Sequence, residues 1–340
     1  MSLEIQSTTP PILLVYLPCY IDYRLAVDQA KRIRQISKDY KRKHKFQIQT
    51  MISINGVNLS NDEINEIKAV TDYQIIYPFG ISGDINITQG FMHAIRLQVD
   101  YLWVLSSNDA VANSFLSTIE ENLIQVPELD LLVGCTLNQL GVRRINSVFD
   151  LENRDVPFGL ISSVVYRTAR TAKNFDTAVQ LNWTGWGQLA TIEASCIAQK
   201  GLSVAFVEED SLYKRSIRGL SDATEESQRI RNGYAHSFFG MPIVICTLHS
   251  ENSIKQRAIL DAWIRSNWHL VNYFLKSDFQ LWSSHMASNQ IWLRRYAFSA
   301  VRKASPIYRT LFTLSRFVNI EKYRQIRLAQ VLLSPNRGVK

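Results

Sequence analysis

The run Ile12–Leu17 (ILLVYL) is uninterrupted apolar sequence closed by Pro18, the pattern of a strand buried on both faces of a parallel sheet. Tyr23–Tyr40 follows, with Leu25, Ala26, Ala30, Ile33 and Ile36 near helical spacing. Phe46–Ile54 alternates as a strand and stops at the turn signal Asn55-Gly56. Asn61–Val70 reads as a short helix with Asn61 as its cap. Strand Tyr73–Tyr77, helix Ile87–Leu97, strand Tyr101–Leu105, helix Asn113–Ile124 and strand Leu129–Gly134 continue the alternation. Such alternation predicts an α/β fold, a mostly parallel sheet sandwiched by helices.

Beyond Leu140 the pattern loosens. Val142–Phe149 and Phe158–Val165 read as strands, Gly187–Lys200 as a helix ended by Gly201, and Leu202–Val207 as a strand running into Glu208-Glu209-Asp210. A polar stretch, Ser211–Arg231, precedes the apolar run Phe238–Leu248, which reads as a buried strand. After Leu248 the periodicity is helical. This places a boundary near residue 250, with an α/β domain over 1–250 and a helical segment over 251–340.

Charge sharpens that division. The 340 residues carry a net +8, yet Arg294–Lys340 holds eleven Lys/Arg against the single acid Glu321. The tail therefore carries +10 and residues 1–293 carry −2, which argues against a nucleic-acid-binding body. Cys19, Cys135, Cys196 and Cys246 are far apart, with no C-x-x-C pair or zinc spacing. Glu4 stands where a secretory signal would be positive, so a reducing cytoplasm is the expectation. No run reaches the roughly 18 apolar residues of a membrane-spanning helix.

The chemistry concentrates where the Tyr101–Leu105 strand stops, at Ser106-Ser107-Asn108-Asp109. Small polar groups and a carboxylate there lie at the carboxyl edge of the sheet, where open α/β sheets bind ligands. Asp109 as a simple helix cap is the alternative. A second signal, Gly185-x-Gly187-x-x-Ala190 with Val179-Gln180-Leu181 as a preceding strand, has the shape of a dinucleotide fingerprint and would mean a dinucleotide-dependent oxidoreductase. Trp186 is bulky where such a loop must approach pyrophosphate. No H-x-x-x-H pair, Walker loop or G-x-S-x-G elbow is present.

Four features in order carry a family likeness: Pro18-Cys19-Tyr20 ending the first strand, Asn55-Gly56 ending the second, Gly83-Asp84-Ile85-Asn86 through Gly90, and Tyr101-x-Trp103-x-Leu105-x-x-x-Asp109. Over residues 10–250 the chain resembles family 2 glycosyltransferases of the GT-A fold. The nearer likeness is to bacterial enzymes of O-antigen and capsule synthesis, the abequosyltransferase-like group. The resemblance implies transfer of a sugar from a nucleotide-diphosphate donor, with inversion, to a polyprenyl-diphosphate-linked glycan. It implies donor contacts from Pro18, Tyr20, Asp22, Asn55 (or Ser53), Asp84, Asn86, Ser107 and Asn108. It further implies a Mg²⁺ or Mn²⁺ ion at Asp109, although Ser106 and Asn108 replace the usual acids. A divalent cation would neutralise charge on the departing diphosphate, and Arg215 and Arg218 are candidates to clamp it. The family's acid pair is missing from Trp183–Leu189, which leaves Glu193 and Asp222 as candidate catalytic bases and Trp183 and Trp186 as acceptor contacts.

The tail adds a partner. From Ile291, apolar Trp292, Leu293, Tyr296, Ala297, Ala300 and Val301 interleave with Arg294, Arg295, Arg302 and Lys303, and a similar run includes Ile307, Tyr308, Leu311, Phe312 and Leu314. Basic amphipathic helices of this kind lie on anionic membranes. The expectation is a peripheral enzyme on the inner face of the cell membrane, with no nucleic-acid partner. A non-catalytic membrane-surface scaffold is the remaining alternative, motivated by Ser106 and the missing acid pair.

Overall fold

The computed structural model describes residues 10–20, 23–40, 46–81, 83–135, 140–150, 158, 161–214, 240–266, 299, 303–307 and 310. These fall in two units, Met1–Trp183 with Gly187–Gly219, and Thr184–Trp186 with Leu220–Lys340.

The first unit is an eight-stranded sheet flanked by helices. Its strands in spatial order are β3 (Tyr73–Tyr77), β2 (Gln47–Asn55), β1 (Ile12–Tyr20), β4 (Tyr101–Val104), β8 (Val164–Arg167), β6 (Leu131–Cys135), β9 (Leu202–Glu208) and β7 (Gly141–Ile145). Helices α1 (Tyr23–Asp39), α2 (Asn61–Val70) and α3 (Gly83–Arg96) connect the first four strands. Strands β3, β2, β1 and β4 run parallel, as do β6 and β9, but β8 is antiparallel to β4 and β6, and β7 is antiparallel to β9. The sheet is therefore mixed rather than mostly parallel in its second half. An apolar run such as Val164-Val165-Tyr166 fixes burial but carries no strand direction, which is why the sequence pattern missed this.

Pro18 lies inside β1 and does not close it. The carbonyls of Ile12 and Tyr16 accept from Asp100 and Leu105, so the even-numbered backbone groups of β1 face β4. The missing N–H of Pro18 falls one step past the last of these bonds, beyond the Tyr16–Val104 pair that ends the β1–β4 register. Meanwhile β1 pairs with β2 all the way to Tyr20–Asn55.

Helix α2 is capped by Ser60, not Asn61. The Ser60 hydroxyl accepts from Glu63 N–H, and the Glu63 carboxyl accepts from Ser60 N–H at 2.8 Å, a capping box. The expected helix from Asn113 is a short α4 (Phe115–Ile119) continued by a π-turn at Glu120–Ile124. One face of the sheet is filled by Leu13, Val15, Leu17, Trp103 and Leu105 against α1 and α4. On the other, Phe91 of α3 meets Tyr166 and Phe175 edge-on at 5.2 and 4.8 Å. Short helices α5 (Thr168–Thr171), α6 (Phe175–Gln180) and the longer α7 (Gly187–Gln199) precede β9. Helix α8 (Glu209–Leu212) follows it.

In the second unit, residues 240–248 form a helix, α9, where the apolar run predicted a strand. A continuous apolar stretch of this length is compatible with either element when it is buried. Helix α10 (Ser253–Ser266) follows, tied to α9 by Gln256 Nε2–H donating to the Cys246 carbonyl at 3.0 Å. Among the described residues no helix is long and apolar enough to cross a membrane. Most of the basic tail lies outside the described residues.

Candidate functional site

Between β1 and β4 the connections reverse direction across the sheet, since β2 and β3 lie to one side of β1 and β4 to the other. Crevices at such switch points, beyond the carboxyl ends of the strands, are where α/β sheets bind ligands. Here the edge is built by the ends of β1, β2, β3 and β4 and by the residues just before β8.

The loop after β4 is tightly organised. Asp109 N–H donates to the Ser106 carbonyl at 3.0 Å, closing a turn, and Asn108 N–H donates to Ser106 Oγ at 3.3 Å. Ser107 is buried, Asn108 exposed and Asp109 half-buried. Asp109 Oδ2 accepts from Ser162 Oγ–H at 2.6 Å, and Ser162 Oγ in turn accepts from Ser106 N–H at 3.0 Å. A two-stranded ribbon, β5 (Ala110–Val111) and β10 (Tyr213–Lys214), then pairs Lys214 with Ala110. This brings an exposed lysine to the residue after Asp109. Composition gave no signal for Ser162 or Lys214, because each reaches the loop through strand pairing distant in sequence.

The floor beside β1 is a polar network. Tyr16 Oη–H donates to the Asn86 carbonyl at 2.7 Å, and Ser53 Oγ–H donates to Asn86 Oδ1 at 2.5 Å. Asn86 Nδ2 donates to the carbonyls of Cys19 at 3.1 Å and Ser53 at 3.3 Å. Asn55 Nδ2 also donates to the Cys19 carbonyl, and Asn55 Oδ1 accepts from Ile81 N–H. Burial holds the Tyr16 phenol far above its ordinary range. Asn55 and Asn86, with 0% and 2% exposure, tie the ends of β1 and β2 to the start of α3. Pro18 is buried in β1, facing Ser53 of β2. Beside them, Phe79 is 62% exposed and its ring lies 6.0 Å from Tyr77.

Tyr20 ends β1 and Asp84 lies in the first turn of α3, but their side chains are outside the described set. Asp22, Arg215, Arg218 and Asp222 are outside the described residues altogether. Glu193 is fully buried on α7, accepting from Ser147 Oγ–H at 2.8 Å and Val148 N–H at 2.8 Å. Trp183 is 41% exposed and donates from Nε1 to the Gln180 carbonyl. Trp186 belongs to the second unit and is half-buried.

The dinucleotide fingerprint lacks its strand, because Phe175–Gln180 is helix α6. Gly187 is needed there for helix contact: a Cβ at this position would lie 2.5 Å from the Ala178 carbonyl oxygen. As for a cation, the described residues contain no cluster of three His, Cys, Asp or Glu. Asp109 with Asn108 is a sparse oxygen set. It fits a hard divalent ion that takes most of its oxygens from phosphate and water.

No protein-family model matches the chain, and no curated protein matches it. Solved structures do. The structure of S. aureus TarS is 12% identical, with 93% of this chain and 55% of that one aligned at a TM-score of 0.54. This chain thus spans about half the length of that TarS chain. The S. aureus TarS 1–349 fragment is 11% identical over 94% of this chain and 91% of the fragment, at a TM-score of 0.51. The same fragment has been solved with UDP-GlcNAc (13% identity, 94% and 91% covered, TM-score 0.49). Likeness at this identity shows the fold, which is GT-A-like: a mixed central sheet flanked by helices, with a helical segment after it.

Proposed function

We propose that the chain is a glycosyltransferase that holds a nucleotide-diphosphate sugar at the carboxyl edge of β1 and β4. The observation that carries this is Asp109, fixed by a closed turn and by Ser162 at the switch point of a GT-A-like fold. The fold is shared with TarS, a protein solved with UDP-GlcNAc. In this reading Asp109, assisted by Asn108, holds a Mg²⁺ or Mn²⁺ ion brought with the donor. The ion offsets the charge that builds on the leaving diphosphate. Lys214, Arg215 and Arg218 supply further positive charge from the segment that follows β9.

Asn55, Asn86 and Pro18 shape the donor floor through the backbone they fix, and Tyr20, Asp22, Asp84 and Ser107 are the further proposed donor contacts. A base must reach the acceptor hydroxyl. Burial of Glu193 against Ser147 and Val148 favours a structural role for it, which leaves Asp222 as the proposed base. Trp183 and Trp186 are the proposed acceptor platforms. The acceptor is a polyprenyl-diphosphate-linked glycan at the inner membrane face, reached by the basic segment within 251–340, and the chemistry is inverting, as in the abequosyltransferase-like group.

A thermal-shift panel of UDP, GDP, CDP and dTDP, each with and without Mn²⁺, tests this. At least one nucleotide should raise Tm, more with Mn²⁺ than without, because ligand binding to the native state alone stabilises it. No shift with any nucleotide would remove the donor site.

A further inference from the structure

Ser162 belongs to none of the motifs that the sequence or the resemblance singles out. Its residue is 1% exposed. Its Oγ donates to Asp109 Oδ2 at 2.6 Å and accepts from Ser106 N–H at 3.0 Å. Its carbonyl accepts from Trp103 Nε1–H at 2.8 Å. A serine hydroxyl has one hydrogen to give. With Ser106 N–H on a lone pair, that hydrogen is committed to the carboxyl of Asp109. Trp103 is fully buried and its ring lies 5.6 Å from that of Phe115, so the anchor runs from the core to the sheet edge. The pairing of Trp103 with Val165 brings the residues before β8 alongside those after β4.

We propose that Ser162 is a positioning residue that sets the Asp109 carboxylate at the angle needed to hold a divalent cation against the donor diphosphate. This rests on the reading of Asp109 given above. At 2.6 Å the bond is in the short range of O–H···O⁻ pairs. Groups that orient a metal ligand in this way typically contribute about 10–100-fold to metal affinity. The hydroxyl also holds Ser106, so the same residue fixes both ends of the turn that carries Asp109.

The test uses the full chain as wild type, Ser162→Ala, Asp109→Asn and the double variant. Calorimetry measures affinity for UDP and GDP, each with Mn²⁺ and with EDTA. Wild type should bind at least one of them more tightly with Mn²⁺. Ser162→Ala should lose about 10–100-fold of affinity in the Mn²⁺ arm and little in EDTA. Asp109→Asn should abolish the Mn²⁺ gain. The double variant should match Asp109→Asn alone, since a residue acting only through Asp109 has nothing left to orient. A full Mn²⁺ gain in Ser162→Ala, or equal losses in both arms, overturns the inference and leaves Asp109 as the cation site. Absence of any Mn²⁺ gain in wild type overturns the Asp109 reading and this inference with it. If Ser162→Ala fails to fold, Ser162→Cys, a near-isostere with a weaker donor, must show a partial loss confined to the Mn²⁺ arm.

Discussion

Glu193 accepts from the Ser147 hydroxyl and from Val148 N–H within a site closed to solvent. Glu193→Gln turns one carboxyl oxygen into a donor facing those donors, which leaves buried polar groups poorly paired. The expected result is a loss of about 1–3 kcal/mol in chemical denaturation, with the turnover of the folded fraction retained. Unchanged stability with a turnover loss of about 10²-fold would instead restore Glu193 as the base. At this scale Asp109 was legible, because a strand ending in small polar residues and one acid already marks the sheet edge. Ser162 was not, because its partner lies 53 residues away and Ser162 itself stands just before β8, a strand whose direction the sequence does not encode. That the amides of Asn55 and Asn86 join chain segments within the protein was not legible either, because the Cys19 carbonyl they share lies 36 and 67 residues away.

Helix α3 lies close on β1 because Gly90 has no side chain. A Cβ there would come within 2.6 Å of the Tyr16 ring, which is fully buried with its hydroxyl held by Asn86. Gly90→Ala gains helix propensity, but the ring has little room to yield. The net effect should be a destabilisation of about 1–3 kcal/mol, together with weaker nucleotide binding as the Asn86 network shifts. Denaturation midpoints measure the first and the thermal-shift panel the second; a stabilised variant would contradict the packing account. The alternating elements up to β4 could be read from apolar periodicity, since β1 and β4 are buried on both faces and α1 has one buried stripe. Reading failed where periodicity is silent: in the direction of β7 and β8, in the choice of Ser60 over Asn61 as cap, and in the helix over 240–248.

Across the whole molecule, thiols and charge give independent checks. Cys19, Cys135 and Cys196 are buried, and burial pushes the Cys246 thiol up to about 11. Little Cys246 thiolate therefore forms at mildly alkaline pH and the other three thiols are covered, so native protein should react slowly with iodoacetamide, all four becoming reactive in guanidinium. Rapid labelling of the native protein would contradict this packing. The excess of basic residues in 294–340 supports a separate expectation, that deleting this segment abolishes sedimentation with anionic vesicles; retained binding would remove the membrane role.

The most direct measurement is release of nucleoside diphosphate from a set of nucleotide sugars with Mn²⁺, the sugar passing to water in the absence of added acceptor, by wild type and by Asp109→Ala of matched Tm. The account predicts release from at least one donor by wild type and a rate about 10²-fold lower or less in the variant. Equal rates in the two proteins, or no release from any donor, would contradict it.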